Sequence, residues 1–349
     1  MPTQAKTLAA LARHDENHQG PSMRDVPLYP LRFDPILKQL IWGGRRLETI
    51  LRKPLGAGTR YAESWEIADH RDDVSQVAEG PLKGVSLRDL IQTRGNELLG
   101  QHLGPASQFP LLVKYIDAHQ VLSVQVHPDD AKGKLLANDN GKTEAWVIIH
   151  AEPGSLIYAG LNPGVTRPEF AEALKTGQVE PLLHRFEAKP GDCIMIPAGT
   201  VHAIGAGVVL AEIQQMSDAT FRVYDWGRVG TDGRPRPLHL AEALESTNYA
   251  AGPVDPLNPT AIPIAGGTRE PLARCPYFAL ERLRLNGPTT VGSHDRFTIL
   301  LGLAGDTEIR TGETADLLGF GQTRLLPSSL GECQLVPRGE SVVLTCVVP

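Results

Sequence analysis

The sequence predicts a mainly β protein, folded as sandwich- or barrel-like sheets with helical insertions. Three observations predict it. Glycine and proline, 35 and 28 of 349 residues, punctuate nearly the whole chain and break regular elements at short intervals. Between them lie short apolar runs, many β-branched, at 111–115, 122–126, 145–149, 193–196, 208–213, 297–303 and 341–348. Such runs bounded by turn residues read as strands. Helical periodicity is sparse: the segment 167–174 carries Pro168 in its first turn and aligns Phe170, Ala171 and Leu174, while 87–99 and 238–244 show it more weakly.

The chain is long for one core and comfortable for two. Residues 1–26 carry Lys6, Arg13, His14, Asp15 and Glu16 without a long apolar stretch, which predicts a polar extension and no signal peptide. A larger β domain is expected over 27–250. The stretch 251–267 holds Pro253, Pro256, Pro259 and Pro263 with little periodicity and reads as a stiff connection. A smaller β domain is expected over 268–349. No apolar stretch approaches the ~20 residues that a membrane-spanning helix needs.

A net charge of −6 argues against a nucleic-acid partner, because a phosphate backbone requires a basic surface. It leaves room for a small anionic substrate held by a few local cations. The four cysteines, Cys193, Cys275, Cys333 and Cys346, are widely spaced with no CxxC pair. They read as reduced thiols and fit a cytoplasmic location. Nothing in the sequence reports an oligomeric state.

Three segments carry the chemistry. In 122–130, alternation puts Leu122, Val124 and Val126 on one face of a strand and Ser123, Gln125 and His127 on the other, before Pro128 ends it. In 141–146, Lys142, Glu144 and Trp146 share a face by the same rule. In 190–203, Pro190-Gly191 feeds a buried strand, Pro197-Ala198-Gly199 makes a second turn, and His202 falls on the returning strand. Each segment alone has a bland reading: a solvated face, a charged edge, a structural histidine. Together they offer two imidazoles and a carboxylate, the donors that zinc, manganese and iron prefer. One divalent ion held by His127, Glu144 and His202, with Gln125 as fourth ligand, is therefore expected.

The ligand spacing and the P-G-D…P-x-G-x-x-H string resemble those of cupins, which are double-stranded β-helices (jelly rolls) around a central metal. A more specific resemblance follows. The run from Leu210 to Arg228, LAEIQQMSDATFRVYDWGR, is similar to the signature of type I mannose-6-phosphate isomerases, as are Ile41-Trp42-Gly43-Gly44, Glu63-Ser64-Trp65-Glu66 and Gly160-Leu161-Asn162-Pro163-Gly164-Val165. It extends from about residue 31 to the C-terminus and is closest to the shorter bacterial branch.

The resemblance implies a cupin catalytic domain with helical insertions, followed by a smaller cupin-like β domain. It also implies one Zn²⁺ per chain on Gln125, His127, Glu144 and His202, and interconversion of D-mannose 6-phosphate and D-fructose 6-phosphate through a cis-enediol. The family's catalytic arginine falls on Arg222, with Phe221 where tyrosine is common. Lys142 and Glu212 become the candidate proton carriers. Arg228, Lys114 and Ser123 become the candidate substrate contacts, the first two for the phosphate. Two rivals stand beside this reading: a cupin oxidase or dioxygenase, disfavoured by a Gln where those sites use a third His, and a non-catalytic sugar-binding cupin, which has no use for Lys142, Glu212 and Arg222 together. In the C-terminal part, 321–327 has a cupin-like turn and strand but no matching His. His294 is the only His after Leu240, so no second metal is expected. His119, His150 and His184 read as surface or packing residues.

Overall fold

The computed structural model describes residues 23–104, 106–230 and 233–349. Most of the N-terminal extension expected over 1–26 lies outside the described residues. The apolar runs do form strands, and they assemble into two barrels built to one plan. In the first, a six-stranded antiparallel sheet runs in the order Ile36–Gly44, Tyr61–Ile67, Leu111–Ala118, Val208–Gln215, Glu144–Ala151, Cys193–Ile196. It faces a five-stranded sheet in the order Phe221–Tyr224, Val124–Val126, His202–Ile204, Leu156–Leu161, Leu183–Glu187. In the second, the order is Ile262–Ile264, Gly267–Arg274, Ala279–Leu285, Ser341–Val347, Thr298–Ala304, Thr323–Leu326. The sheet facing it runs Thr289–Val291, Cys333–Pro337, Thr307–Thr311, Thr314–Leu318. Read against chain order, the strands of the second barrel follow the permutation of the first, which adds only the edge strand Phe221–Tyr224. This is the cupin jelly roll, present twice.

Alternation decides what each face does. In the first six-stranded sheet, Val113, Tyr115, Ala145, Val147, Ala211 and Ile213 join a buried cluster with Leu280, Ile299, Leu301, Leu344 and Cys346 of the second sheet. The two large sheets thus pack back to back, burying large apolar faces that would otherwise meet water. The opposite face points into the barrel: Ile116, Trp146, Ile148, Ile194 and Leu210 form a second cluster, and Lys114, Glu144 and Glu212 share that face. A polar set on the concave side of a closed sheet has nowhere to go but the cavity. All four cysteines are free.

The helices match their sequence signals. Leu87–Leu99 starts on Ser86, whose side chain accepts from the Asp89 N–H. Arg167–Thr176 starts on Thr166, which forms a capping box with Glu169, and stops at Gly177 in the left-handed region with φ 70°. The helix expected over 238–244 forms as Leu240–Ser246. No helix among the described residues is long and apolar enough to cross a membrane.

Two details refine the sequence reading. Leu122 lies outside the ladder of Val124–Val126, its N–H bonding to the Ile204 carbonyl. The proline-rich stretch is tied down: the Val254 N–H bonds to the Ala159 carbonyl and the Leu257 N–H to the Cys193 carbonyl, and Ile262–Ile264 is an edge strand paired with Gly267–Arg274. Pro263 fits there because an edge strand can spare an N–H. Gly43 has a simple cause. A Cβ there would stand 2.5 Å from the Ala62 nitrogen, so the strand can lie against Tyr61–Ile67 only without one.

Candidate active site and metal centre

Strand register builds the site. His202 and Gln125 are directly opposite each other on adjacent strands, and Arg222 is opposite Gln125 on its other side. Three side chains from three chain segments therefore stand in one row across the smaller sheet. On the facing sheet, Glu212 is opposite both Lys114 and Trp146, and Glu144 is opposite Gln214 and Ile196. The segment bearing Lys142 is pinned to the His127 segment by a bond from the Lys142 N–H to the Pro128 carbonyl. Gly141 permits that close pass, since a Cβ there would lie 2.5 Å from the Asp130 nitrogen.

The metal-type donors converge. His127 Nε2 lies 3.4 Å from Glu144 Oε2, and His202 Nε2 lies 3.5 Å from Glu144 Oε1. The ligand atoms of all three fall within 4.8 Å of one another, and all three residues are buried. Each imidazole has its other nitrogen on a backbone carbonyl: His127 Nδ1 is 2.8 Å from Ala219 O, and His202 Nδ1 is 2.9 Å from Thr200 O. A carbonyl can only accept, so each Nδ1 is the protonated nitrogen and each Nε2 is left with a lone pair aimed at the carboxylate. Lys142 Nζ sits 3.0 Å from His127 Nε2 and 3.0 Å from Glu144 Oε2, so a positive charge already stands among these donors. Glu144 Oε2 is buried without a hydrogen bond of good geometry. Two lone-pair nitrogens, a carboxylate and a lodged cation fit a divalent ion. Gln125 completes the rim, with Nε2 3.3 Å from His202 Nε2. Amide N and O are nearly isosteric, so a half-turn of the amide presents the oxygen as a fourth donor.

A cavity of about 310 Å³ opens from this cluster, lined by Trp42, Glu63, Lys114, Ser123, Gln125, Lys142, Glu144, Trp146, Glu212, Asp218, Thr220, Arg222 and Arg236 among others. Lys114 Nζ lies 3.2 Å from Glu212 and 3.4 Å from Glu63. Burial pulls the Lys114 ammonium down, but those two carboxylates outweigh it and hold it above its ordinary range. Burial, then the charge of Glu144, push the Glu212 carboxyl up. Arg222 donates from Nε to Ser123 Oγ at 3.3 Å and from Nη1 to the Pro237 carbonyl at 3.1 Å. Burial, with Arg236 nearby, lowers its pKa, yet a guanidinium stays charged at any physiological pH.

Burial also governs the imidazoles. It holds His127 well below its ordinary value, aided by the Lys142 charge, and pushes His202 down to about 4. In the unfolded chain both titrate near ~6.5. Below that pH the unfolded state binds more protons than the fold, so the metal-free protein loses stability as pH falls through this window. His202 alone accounts for roughly 3 kcal/mol by the bottom of it. The raised Glu212 carboxyl works in the opposite sense above the ordinary carboxylate range. Urea midpoints of chelator-treated protein at pH 7 and pH 5 check this. A clear fall is expected at pH 5, and an unchanged midpoint contradicts the buried, neutral imidazoles.

Of the residues singled out in the sequence, the structure brings together Ser123, Gln125, His127, Lys142, Glu144, His202, Glu212, Arg222 and Lys114. Arg228 is placed differently. Its guanidinium is paired with Asp225 at 2.5 Å and donates to the Val121 carbonyl, and it is absent from the cavity wall, where Arg236 stands instead. Arg236 also holds Asp225, with Nε 2.8 Å from Oδ2. It follows a short turn in a Pro-Arg-Pro context, where no periodicity marks a side chain's direction. Trp42 and Glu63 were also missed, although both belong to strings that carried the family resemblance.

Two jelly rolls, the first closing on a buried His–Glu–His set, define a cupin with a metal-type centre. The family model for phosphomannose isomerase type I, catalytic domain, matches residues 31–145. Mannose-6-phosphate isomerase ManA of Bacillus subtilis is 36% identical over 328 residues, covering 90% of this chain and 98% of ManA. The chain belongs to the type I phosphomannose isomerase family and is an enzyme of the isomerase class. A mannose-6-phosphate isomerase of Streptococcus mutans is 33% identical over 305 residues, covering 87% of this chain and 94% of that protein. The crystal structure of the mannose 6-phosphate isomerase from Bacillus subtilis superposes with a TM-score of 0.84 at 29% identity, covering 91% of this chain and 99% of that one.

Proposed function

We propose that this chain interconverts D-mannose 6-phosphate and D-fructose 6-phosphate, with one Zn²⁺ held by His127, Glu144, His202 and Gln125. The observation that carries the reading is the convergence, in one cavity, of that donor set with Glu212, Lys142, Lys114 and Arg222. Two neutral imidazoles, a carboxylate and an amide suit zinc, and a Gln in place of a third His disfavours an oxidase. When bound to these residues, zinc would supply a Lewis acid that polarises the sugar's carbonyl.

The residues divide the remaining work. A C–H next to a carbonyl is a weak acid, so its removal needs a positioned base and fixed positive charge nearby. Glu212 is the better-placed base. Its carboxyl faces the cavity, its raised pKa brings it nearer neutrality, and Lys142 Nζ stands 3.7 Å away to relay the proton. The proton leaves C2, a cis-enediol forms, and the proton returns to C1. Arg222 offers a permanent charge to the enediol oxygens. Lys114, locked between Glu63 and Glu212, sets the local potential, and Ser123 fixes the Arg222 fork. Arg236 at the rim receives the 6-phosphate, while Arg228 acts on it indirectly by gripping Asp225.

Isomerisation in deuterated water tests the proton-transfer step. Deuterium is expected at C2 of the mannose 6-phosphate formed from fructose 6-phosphate, or at C1 of fructose 6-phosphate in reverse, to a degree set by exchange at Glu212. Full retention of the substrate's own hydrogen in both directions, unchanged by slowing turnover, points to a hydride shift instead.

A further inference from the structure

The second barrel repeats the register of the first, so its interior can be read position by position. Thr298 is opposite Leu326, as Glu144 is opposite Ile196. Thr345 is opposite Leu300 and Glu281, as Glu212 is opposite Trp146 and Lys114. Arg269 is opposite Leu283, as Glu63 is opposite Ile116. The metal ligand Glu144 therefore has Thr298 as its counterpart, and Glu212 has Thr345. The Glu63–Lys114 ion pair has a charge-reversed counterpart in Arg269 and Glu281, 3.7 Å apart. The duplicate has lost its metal donors and kept a cavity.

That cavity measures about 450 Å³, larger than the one in the first barrel. Three guanidinium groups, Arg269, Arg274 and Arg296, line it against one carboxylate, Glu281. Thr289, Thr298 and Thr345 also line it, each more than nine-tenths buried, and none of their hydroxyls bonds to another of the described residues. Arg269 Nε is buried without a hydrogen bond. A guanidinium nitrogen buried without a partner is costly unless something fills the space and bonds to it, and the three cavity-facing hydroxyls offer such a ligand further bonds. An apolar ligand would leave them unsatisfied, and a cation would be repelled by the excess of arginine.

We propose that this cavity is a second binding site, for a small hydroxylated anion of the sugar-phosphate class. Arginine forks suit the phosphate. Threonine hydroxyls both donate and accept, and Glu281 accepts from sugar hydroxyls. The site needs no metal and stands apart from the isomerase reading, whose failure would appear in turnover and not here.

Calorimetric titration of the purified holoenzyme with sorbitol 6-phosphate, a polyol phosphate with no carbonyl to isomerise, tests it. Parent protein is expected to show a site that the Arg269→Ala/Arg274→Ala double variant weakens at least about tenfold, with isomerase kcat/KM unchanged because both arginines lie in the other barrel. Thr345→Val keeps the side-chain shape and is expected to weaken sorbitol 6-phosphate severalfold while leaving inorganic phosphate alone. Identical titrations for parent and double variant overturn the proposal. A Thr345→Val titration identical to the parent's overturns the hydroxylated ligand and leaves a bare anion site.

Discussion

Replacing His202 by alanine is expected to empty the metal centre and lower isomerase turnover by roughly 10³ or more, since removal of even one preorganised electrostatic donor costs about 10²–10³. His202 supplies one of the two lone-pair nitrogens that face Glu144 among the described residues. Its ring orientation is fixed by the Thr200 carbonyl and by edge contact with Trp146 at 5.3 Å between centroids. Without it, one imidazole, one carboxylate and one amide remain, and Lys142, already 3.0 Å from two of these groups, is left as the competing cation. The strand itself keeps its pairings with Gln125 and Ala159, so the variant is expected to fold. Metal content per chain and thermal unfolding, measured on the same preparation, separate loss of the ion from loss of the fold. Equal metal in variant and parent removes His202 from the ligand set.

Arg222→Ala has a different signature. The guanidinium bonds to Ser123 and to the Pro237 carbonyl, and to no member of the His–Glu–His set. The variant is therefore expected to retain its metal while kcat falls by about 10²–10³. Arg222→Lys restores a charge but not the planar fork, so only partial recovery is expected. Undiminished turnover in Arg222→Ala excludes it from the mechanism. The pair of variants thus separates holding the ion from stabilising charge on the sugar.

Much of this site was legible before any coordinates, for a physical reason. A strand has a period of two, so alternation in 122–127 puts Gln125 and His127 on one face, and in 142–146 Lys142, Glu144 and Trp146 on one face, without tertiary information. Barrel closure then brings separate strands together. Alternation fails where chain direction is set by turns: it could not show that Arg228 turns back onto Asp225 or that Arg236 reaches the cavity from a proline-flanked loop. Nor could it place Leu122, which leaves the ladder before the strand begins. The second barrel showed in the sequence only through the cupin-like turn and strand of 321–327, because no ligand marks it: Thr298 stands where the first barrel has Glu144. Pairing register survives such replacement; side-chain identity does not.

Chelation of the purified enzyme, followed by stoichiometric metal return, tests the central claim most directly. Coupled turnover of mannose 6-phosphate is expected to vanish with the ion and to return when one equivalent of Zn²⁺ per chain is added back. Full turnover by protein shown by elemental analysis to be metal-free contradicts it.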